Sequence, residues 1–226
     1  MAKKQPHALI LFARVPALGK VKTRLESLLD QETVFQLYKH FLDDSIEKIR
    51  SVKGVDSWVG VYPPQDINYF QDIASQGCIT VITQEGDDLG DRMRNTIAQR
   101  LREDYEKVII IGSDSPSLPV TYIEKAFQSD KDIVIGPSTD RGYYLIGMNR
   151  VLFDIFDGVP WGTENVLDAT LERVKQVGAS LELLPVWYDV DRPEDLRFLK
   201  VHLDLLDHSG QNELSSTREF LNQLDL

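Results

Sequence analysis

Residues 8–24 join an unbroken apolar run, Ala8-Leu9-Ile10-Leu11-Phe12-Ala13, to a cationic stretch, Arg14-Val15-Pro16-Ala17-Leu18-Gly19-Lys20-Val21-Lys22-Thr23-Arg24. A continuous apolar run is typical of a strand that helices cover on both faces of a sheet. The run is too short for a membrane span, which needs roughly 20 apolar residues, and it lacks the small-residue cleavage site of a signal peptide. The stretch therefore predicts a buried first strand with a basic loop at its carboxyl end.

Six more apolar segments predict strands along the rest of the chain. They are Ser57–Val61, Ile79–Thr83, Val108–Gly112, Asp132–Ile135, Tyr143–Met148 and Leu181–Tyr188. Apolar residues at helical spacing separate them, within residues 34–49, 89–101, 166–174 and 196–203. Strands that alternate with helices predict an α/β fold with three layers and a mostly parallel sheet.

The end of the chain differs from the rest. A polar stretch, His208-Ser209-Gly210-Gln211-Asn212, precedes Ser216-Thr217-Arg218-Glu219, a capping-box pattern that opens a short helix. We expect one domain over residues 1–207, followed by a linker and a C-terminal helix over residues 208–226. That helix either docks on the domain or contacts a second copy in a homodimer.

Composition excludes several classes of protein. Lys and Arg number 25 against 36 Asp and Glu, a formal charge of −11, which argues against a nucleic-acid partner because phosphates need an excess of cations. Hydrophobic residues make up 42% of the chain, enough for a folded core. The single cysteine, Cys78, has no partner for an intrachain disulfide, which predicts a protein of the reducing cytoplasm.

The basic loop after the first strand predicts phosphate binding. It holds Arg14, Lys20, Lys22 and Arg24 with no acidic residue among them, and Gly19 lets the backbone approach a ligand closely. A Walker A loop is excluded because Val21 replaces the Ser or Thr that follows Gly-Lys, and the G-x-G-x-x-G fingerprint is absent. The alternative is a solvated basic loop that binds nothing.

Aspartates follow three of the later predicted strands. Asp114 comes after Val108–Gly112, Asp140 lies in a glycine-flanked loop, and Asp191 closes the last strand. Ligands of open α/β sheets bind at the carboxyl ends of strands, and carboxylates there suit Mg²⁺ shared with substrate phosphates. The alternative is that Asp114 and Asp191 cap turns or helices, a common role for aspartate.

The order of these motifs resembles one known family. The matching segments are residues 12–16 and 19–25 of the first loop, Gly112-Ser113-Asp114-Ser115-Pro116, Gly136-Pro137 with Asp140-Arg141-Gly142-Tyr143-Tyr144, and Asp189-Val190-Asp191 with Pro193-Glu194-Asp195-Leu196. Over residues 8 to 200 they resemble the nucleotide-diphospho-sugar transferase (GT-A) superfamily, and more narrowly its bacterial arsenosugar-biosynthesis-type glycosyltransferase-like branch. The resemblance implies a Rossmann-like fold with a mixed sheet and a nucleotide bound over the first loop.

The resemblance also assigns residues to roles. Asp114 and Asp191 resemble metal ligands, for Mg²⁺ or Mn²⁺. The nucleotide and its phosphates would contact Arg14, Gly19, Lys20, Lys22, Arg24, Gln84 and Asp88. The acceptor or sugar pocket would contain Asp140, Arg141, Gly142 and Tyr143, and the aromatic face of Trp161 suits stacking on a sugar or base. The alternatives are that Trp161 packs in the core and that Asp88 only caps the helix that follows it. The catalytic groups would be Lys22, Arg24 and Asp140. Two positions depart from the family: Pro116 replaces the second half of a D-x-D motif, and Arg141 stands where relatives carry glycine.

Three functions are compatible with this pattern. The favoured one is Mg²⁺-dependent glycosyl transfer from a nucleotide-diphospho-sugar to a small-molecule acceptor, because the resemblance is nearest to glycosyltransferases. A nucleotidyltransferase of the guanylyltransferase kind, which would use an NTP, has the same parts. A nucleotide-binding regulator without turnover is the third, and the departures at Pro116 and Arg141 permit it.

Overall fold

The computed structural model describes residues 4–70, 72–73, 79–211 and 215–226. Cys78 and Asn212, which entered the predictions of compartment and linker, lie outside them. Seven strands are formed: β1 (His7–Arg14), β2 (Val55–Tyr62), β3 (Ile79–Thr83), β4 (Lys107–Gly112), β5 (Ile133–Pro137), β6 (Tyr143–Asn149) and β7 (Leu181–Leu183). The α-helices are α1 (Gln31–Ser51), α2 (Leu89–Arg102), α3 (Val120–Gln128), α4 (Val166–Val177), α5 (Pro193–His208) and α6 (Ser216–Leu221). Two 3₁₀ helices, Thr23–Ser27 and Pro64–Phe70, follow β1 and β2.

The strands form one mixed sheet in the order β3-β2-β1-β4-β6-β5-β7. Strands β1 to β4 pair in parallel, and β6 runs antiparallel to both β4 and β5. Strand β7 pairs with β5 in parallel at the edge. The predicted α/β fold with a mostly parallel, mixed sheet is therefore confirmed. Because β6 alone is reversed, the carboxyl ends of the other strands meet at one edge, where β6 begins.

Strand β1 shows why the fold has three layers. Leu9, Leu11 and Ala13 pack into a cluster with α1 and α3, whereas Ile10 and Phe12 pack on the opposite face with α2 and α4. Successive side chains of a strand point to opposite faces, so both faces need apolar cover. Residues 8–13 are apolar without alternation because both faces of β1 are buried.

The C-terminal helix docks on the domain. Asp44 of α1 accepts hydrogen bonds from the backbone N–H groups of Ser216 (2.7 Å) and Thr217 (3.0 Å), and Leu221 is buried with α1 and α5. The helix is capped by Ser215, which accepts from Arg218 N at 3.2 Å, so the cap lies one residue before the predicted capping box. The division at residue 207 and the homodimer stay predictions.

Among the helices of the described chain, none has both the length and the apolar character that crossing a bilayer requires.

Two elements differ from the sequence-based expectations. Strand β7 ends at Leu183 and not at Tyr188, because Pro185 lacks the N–H group that a strand ladder requires; only an isolated bridge joins Ser138 to Trp187 farther on. Helix α3 was not predicted. It has nine residues, and Pro119 at its N-cap makes no side-chain cap hydrogen bond, so the sequence carried little indication of its start.

Candidate active site

A cleft of about 1100 Å³ opens at the carboxyl edge of the sheet. Its walls are the loop after β1, the ends of β4 and β5, the start of β6, the segment 161–164 and residues 189–195. Parallel strands end here, as in other open α/β sheets that bind ligands. The cleft therefore collects the loops that the sequence analysis selected, although they are far apart along the chain.

The basic loop is held by contacts at both of its ends. At its start, the Tyr38 hydroxyl of α1 accepts from Arg14 N (3.0 Å) and donates to Arg14 O (3.1 Å). At its end, Leu25 is fully buried in the cluster with α1 and α5. Between them Gly19 has φ +65°, a conformation that glycine adopts without strain. This anchoring holds both ends of the basic loop against α1.

Lys22 forms ion pairs with both of the predicted metal ligands. Its Nζ atom lies 2.6 Å from Asp114 Oδ1 and 2.7 Å from Asp191 Oδ1, and only 5% of its side chain is exposed. Arg24 Nη1 lies 3.6 Å from the other oxygen of Asp191. The first loop and the two aspartates therefore meet in one place, with a buried ammonium between the carboxylates.

The position of Asp191 is set by its neighbours. Val190 is fully buried beside α1 and α5, and its N–H donates to Asp114 O at 2.9 Å. Helix α5 is capped at Arg192, and Asp195 accepts from the N–H groups of both Asp191 (3.1 Å) and Arg192 (2.8 Å). The alternative that Asp191 caps α5 is therefore wrong, since the N-cap position is Arg192 and the Asp191 carboxylate faces Lys22 instead.

The buried charges shift one another's pKa values. Burial by itself would lower the pKa of Lys22, but the Asp114 and Asp191 carboxylates outweigh it and raise that pKa above its usual value. Burial likewise opposes the ionised form of Asp191, yet the nearby Lys22 ammonium lowers the Asp191 pKa. Lys22 is thus held as a cation and Asp191 as an anion at neutral pH.

Asp189 is a cleft residue that the sequence-based assignment missed. It accepts a hydrogen bond from the Ser115 hydroxyl, and burial, with the charges of Asp114 and Asp140, raises its pKa to about 6. An indication was present in the Asp189-Val190-Asp191 spacing, since residues two apart in an extended segment share one side. Tyr38, whose pKa burial raises to about 12, was likewise predicted only as an apolar residue of a helix.

The loop between β5 and β6 forms the opposite wall. Asp140 Oδ1 accepts from Gly142 N (2.9 Å) and from the Ser138 hydroxyl, which fixes the carboxylate. Arg141 has the left-handed φ of +71°, and its Nη1 lies 3.5 Å from Glu164 Oε2. All four of the predicted pocket residues 140–143 line the cleft.

Trp161 completes that wall from the segment before α4. Its ring meets Tyr143 edge-on, with centroids 6.2 Å apart, and packs closely over Gly90 of α2. A Cβ atom at Gly90 would lie 2.6 Å from Trp161 Cζ2, so only glycine lets the ring take this place. Trp161 therefore contributes both to core packing and to the cleft surface, which joins the two alternatives that the sequence left open.

The wall near β2 and β3 contains two polar side chains. Gln84 is buried and its Nε2 donates to Gly60 O (2.8 Å) and, more weakly, to Ala13 O (3.4 Å). The Arg92 guanidinium lies 4.3 Å from the Tyr62 ring centroid, and Arg92 was not among the predicted site residues.

Of the predicted nucleotide-binding residues, Arg14, Lys20, Lys22, Arg24 and Gln84 line the cleft, whereas Gly19 and Asp88 are outside its lining. Asp88 instead caps α2 by accepting from Asp91 N at 2.8 Å.

Asp114 and Asp191 have the chemistry of a partial metal site. Their Oδ1 atoms both contact the Lys22 ammonium and so lie close together, and carboxylate oxygens are the ligands that Mg²⁺ prefers. In the part of the chain that the structure describes, no three His, Cys, Asp or Glu side chains are grouped to hold a metal by themselves. The pair by itself offers too few ligands for a metal ion, so a cation bound here would need further oxygens from a ligand or from water.

Known proteins resemble the chain in sequence and in structure. The crystal structure of a proposed nucleotide-diphospho-sugar transferase from Desulfovibrio desulfuricans G20 is 31% identical, has a TM-score of 0.86, and matches over 97% of this chain and 95% of that one. The model of the family described as "Uncharacterized protein conserved in bacteria (DUF2064)" matches residues 45–163. The chain belongs to this family. The implied nucleotide-diphospho-sugar transferase fold is thereby confirmed; the arsenosugar-type branch stays a prediction.

More distant structures share the fold alone. CMP:2-keto-3-deoxy-manno-octonic acid synthetase complexed with CTP is 14% identical with a TM-score of 0.55, over 90% of this chain and 99% of that one. 4-Diphosphocytidyl-2C-methyl-D-erythritol synthase from Anaerococcus prevotii DSM 20548 is 12% identical with a TM-score of 0.57, over 88% and 96%. No curated protein sequence matches the chain. The fold of this DUF2064 member is thus one that nucleotide-using transferases adopt.

Proposed function

We propose that this protein is a nucleotide-dependent transferase that moves a glycosyl group from a nucleotide-diphospho-sugar to a small-molecule acceptor. The observation that carries the proposal is the convergence of a basic loop, two carboxylates and a polar second wall in one cleft. The nucleotide would lie over the basic loop near Gln84, and the sugar would lie toward Asp140 and Trp161. Catalysis of this kind needs positioning and charge stabilisation more than a covalent nucleophile.

The basic loop would stabilise the leaving group. In glycosyl transfer the bond between the anomeric carbon and the β-phosphate oxygen breaks, and its electron pair stays with the departing nucleoside diphosphate. Lys22 and Arg24, with Lys20 and Arg14, would face the negative charge that develops there. Because Lys22 is buried, its interaction with a phosphate is screened less by water than that of a surface lysine.

The second wall would receive the acceptor. Asp140, held by Gly142 N and Ser138, would take the proton from the acceptor hydroxyl as its oxygen bonds to the anomeric carbon. Trp161 and Tyr143 would cover the sugar with aromatic surface. Arg141 would border the acceptor pocket, in the place where the family resemblance implies glycine.

A divalent cation would be held by Asp114 and Asp191. When bound, Mg²⁺ or Mn²⁺ supplies a positive charge that the diphosphate oxygens share. The Ser115 hydroxyl donates to the Asp189 carboxylate, which would hold together the two segments that carry this pair. A nucleotidyltransferase would use the same residues, with an acceptor phosphate attacking the α-phosphate of an NTP and releasing pyrophosphate.

A panel of activated nucleotides tests the proposal. The protein is incubated with Mg²⁺ and each of several nucleotide-diphospho-sugars and NTPs, and free nucleotide and pyrophosphate are measured. Release of a nucleoside diphosphate from one sugar nucleotide is the expected result. Pyrophosphate release that requires a phosphorylated acceptor would favour the nucleotidyltransferase, and tight binding without any product would favour the regulator.

Arg24→Ala is expected to weaken the binding of nucleoside diphosphates by about tenfold while monophosphate binding changes much less. The guanidinium is exposed at the cleft and near Asp191, where a terminal phosphate would meet it. Calorimetric titration of both ligands into the variant measures the difference. Arg197→Ala, an exposed arginine on α5 outside the cleft, is the matched control. Equal losses for the two ligands would contradict a phosphate role for Arg24.

A further inference from the structure

Lys22 occupies the point on which the proposed metal ligands converge. Its ammonium is the nearest cation to Asp114 Oδ1, at 2.6 Å, and to Asp191 Oδ1, at 2.7 Å. Arg24 faces the remaining oxygen of Asp191. Both oxygens of Asp191 thus already have cationic partners, so a metal ion that bound the two Oδ1 atoms would compete with Lys22 for them.

We propose that Lys22 and a divalent cation bind the Asp114–Asp191 pair in alternation. In the free protein the ammonium neutralises the two carboxylates and keeps them together. A metal ion that took the same oxygens would lie beside a buried ammonium, and two cations so placed repel each other. Lys22 would then leave the pair and turn toward the cleft. The inference rests on the proposed function, since it assumes that a metal works at this pair.

The Lys22 side chain borders the cleft into which such a movement would take it. The side chain is buried but lines the cleft, and its backbone stands at φ 48°, directly before the 3₁₀ helix Thr23–Ser27. The phosphates of a nucleotide would lie within the basic loop and would accept the displaced ammonium. Metal and nucleotide would therefore assist each other, because the phosphate supplies a new partner for the cation that the metal displaces.

The test measures Mn²⁺ binding to the free protein, without nucleotide, by electron paramagnetic resonance. Lys22→Met removes the ammonium and keeps the length of the side chain, and we expect it to raise Mn²⁺ affinity by about tenfold or more. Lys20→Met is the matched control, because it removes the same charge from the same loop and Lys20 makes no ion pair with either carboxylate in the described structure. An increase no larger than that of Lys20→Met, or a loss of affinity, would overturn the inference.

A second measurement uses the unaltered chain, in case Lys22→Met does not fold. The ¹⁵Nζ resonance of Lys22 is followed by NMR while Mg²⁺ is added until a metal-binding signal saturates. Displacement predicts that this resonance shifts and loses its protection from exchange in step with binding. A bound metal with an unchanged Lys22 resonance would overturn the inference. Neither experiment measures sugar transfer. The alternation can therefore fail in a protein that is an active transferase, and the proposed transferase activity can fail while Lys22 and the metal still compete.

Discussion

Asp114→Asn is expected to lower the rate of nucleoside diphosphate release by about 100-fold or more. The substitution removes the negative charge that faces Lys22 and leaves Asp191 as the single charged ligand of the proposed metal pair. The fold should survive, because about half of the Asp114 side chain is exposed and Asp191 still neutralises Lys22. We expect the free energy of unfolding to fall by about 1 kcal/mol.

Asp30→Asn is the matched control for this variant. Asp30 lies outside the cleft at the N-cap of α1, where its Oδ1 accepts from Thr33 N at 3.0 Å, and asparagine caps a helix as well as aspartate does. Activity and thermal unfolding of both variants are measured together, across a range of Mg²⁺ concentrations. If Asp114→Asn kept the Mg²⁺ dependence of the unaltered protein, the metal assignment would be wrong.

Gly136→Ala is expected to lower the free energy of unfolding by about 3 kcal/mol. A Cβ atom at this position of β5 would lie 2.7 Å from Tyr144 Oη and closer still to the ring carbons. The ring cannot move aside easily, since it is buried and its hydroxyl donates to Pro185 O at 2.9 Å. Because β5 leads directly into the loop that holds Asp140, the strain should also disturb the acceptor wall.

Gly112→Ala is the matched control for stability, because a Cβ atom there would meet nothing within 4 Å. Chemical denaturation of the two variants compares the same substitution in two strands of one sheet. A double variant, Gly136→Ala with Tyr144→Val, removes the ring that causes the clash, and the added cost of Gly136→Ala should then largely vanish. An undiminished cost in that background would show that the ring is not the cause.

The strands and helices were largely predictable because their patterns are local. Apolar continuity located β1 to within one residue at each end, and helical spacing located α1, α2, α4 and α5. Errors arose where local chemistry was ambiguous. The extended segment after Leu183 has the composition of a strand, and the short helix α3 starts beside two prolines without a side-chain cap.

Most residues of the candidate site were predictable from the sequence, but their positions relative to one another were not. The sequence places four cations after β1 and an aspartate after β4. Because the ends of parallel strands meet at one edge of the sheet, these residues could be predicted to lie near one another. The position of Asp191 did not follow, since a helix cap explained this aspartate equally well; in the structure Arg192 is the N-cap of α5 and the Asp191 carboxylate contacts Lys22. Asp189 and Tyr38 were missed because burial, which raises both of their pKa values, depends on neighbours distant in the chain.

The amino-acid sequence alone determined the three-layer α/β fold, the basic loop and the carboxylates at the strand ends. Each of these depends on residue type and on spacing over a few residues, which local sterics and apolar burial translate directly into structure. The tertiary structure decided which charges meet. Lys22 and Asp191 are separated by 169 positions, and packing of the buried Val190 beside α1 and α5 brings them to 2.7 Å. Contacts of that kind depend on how the helices pack over the whole sheet, so no short segment of the sequence contains them.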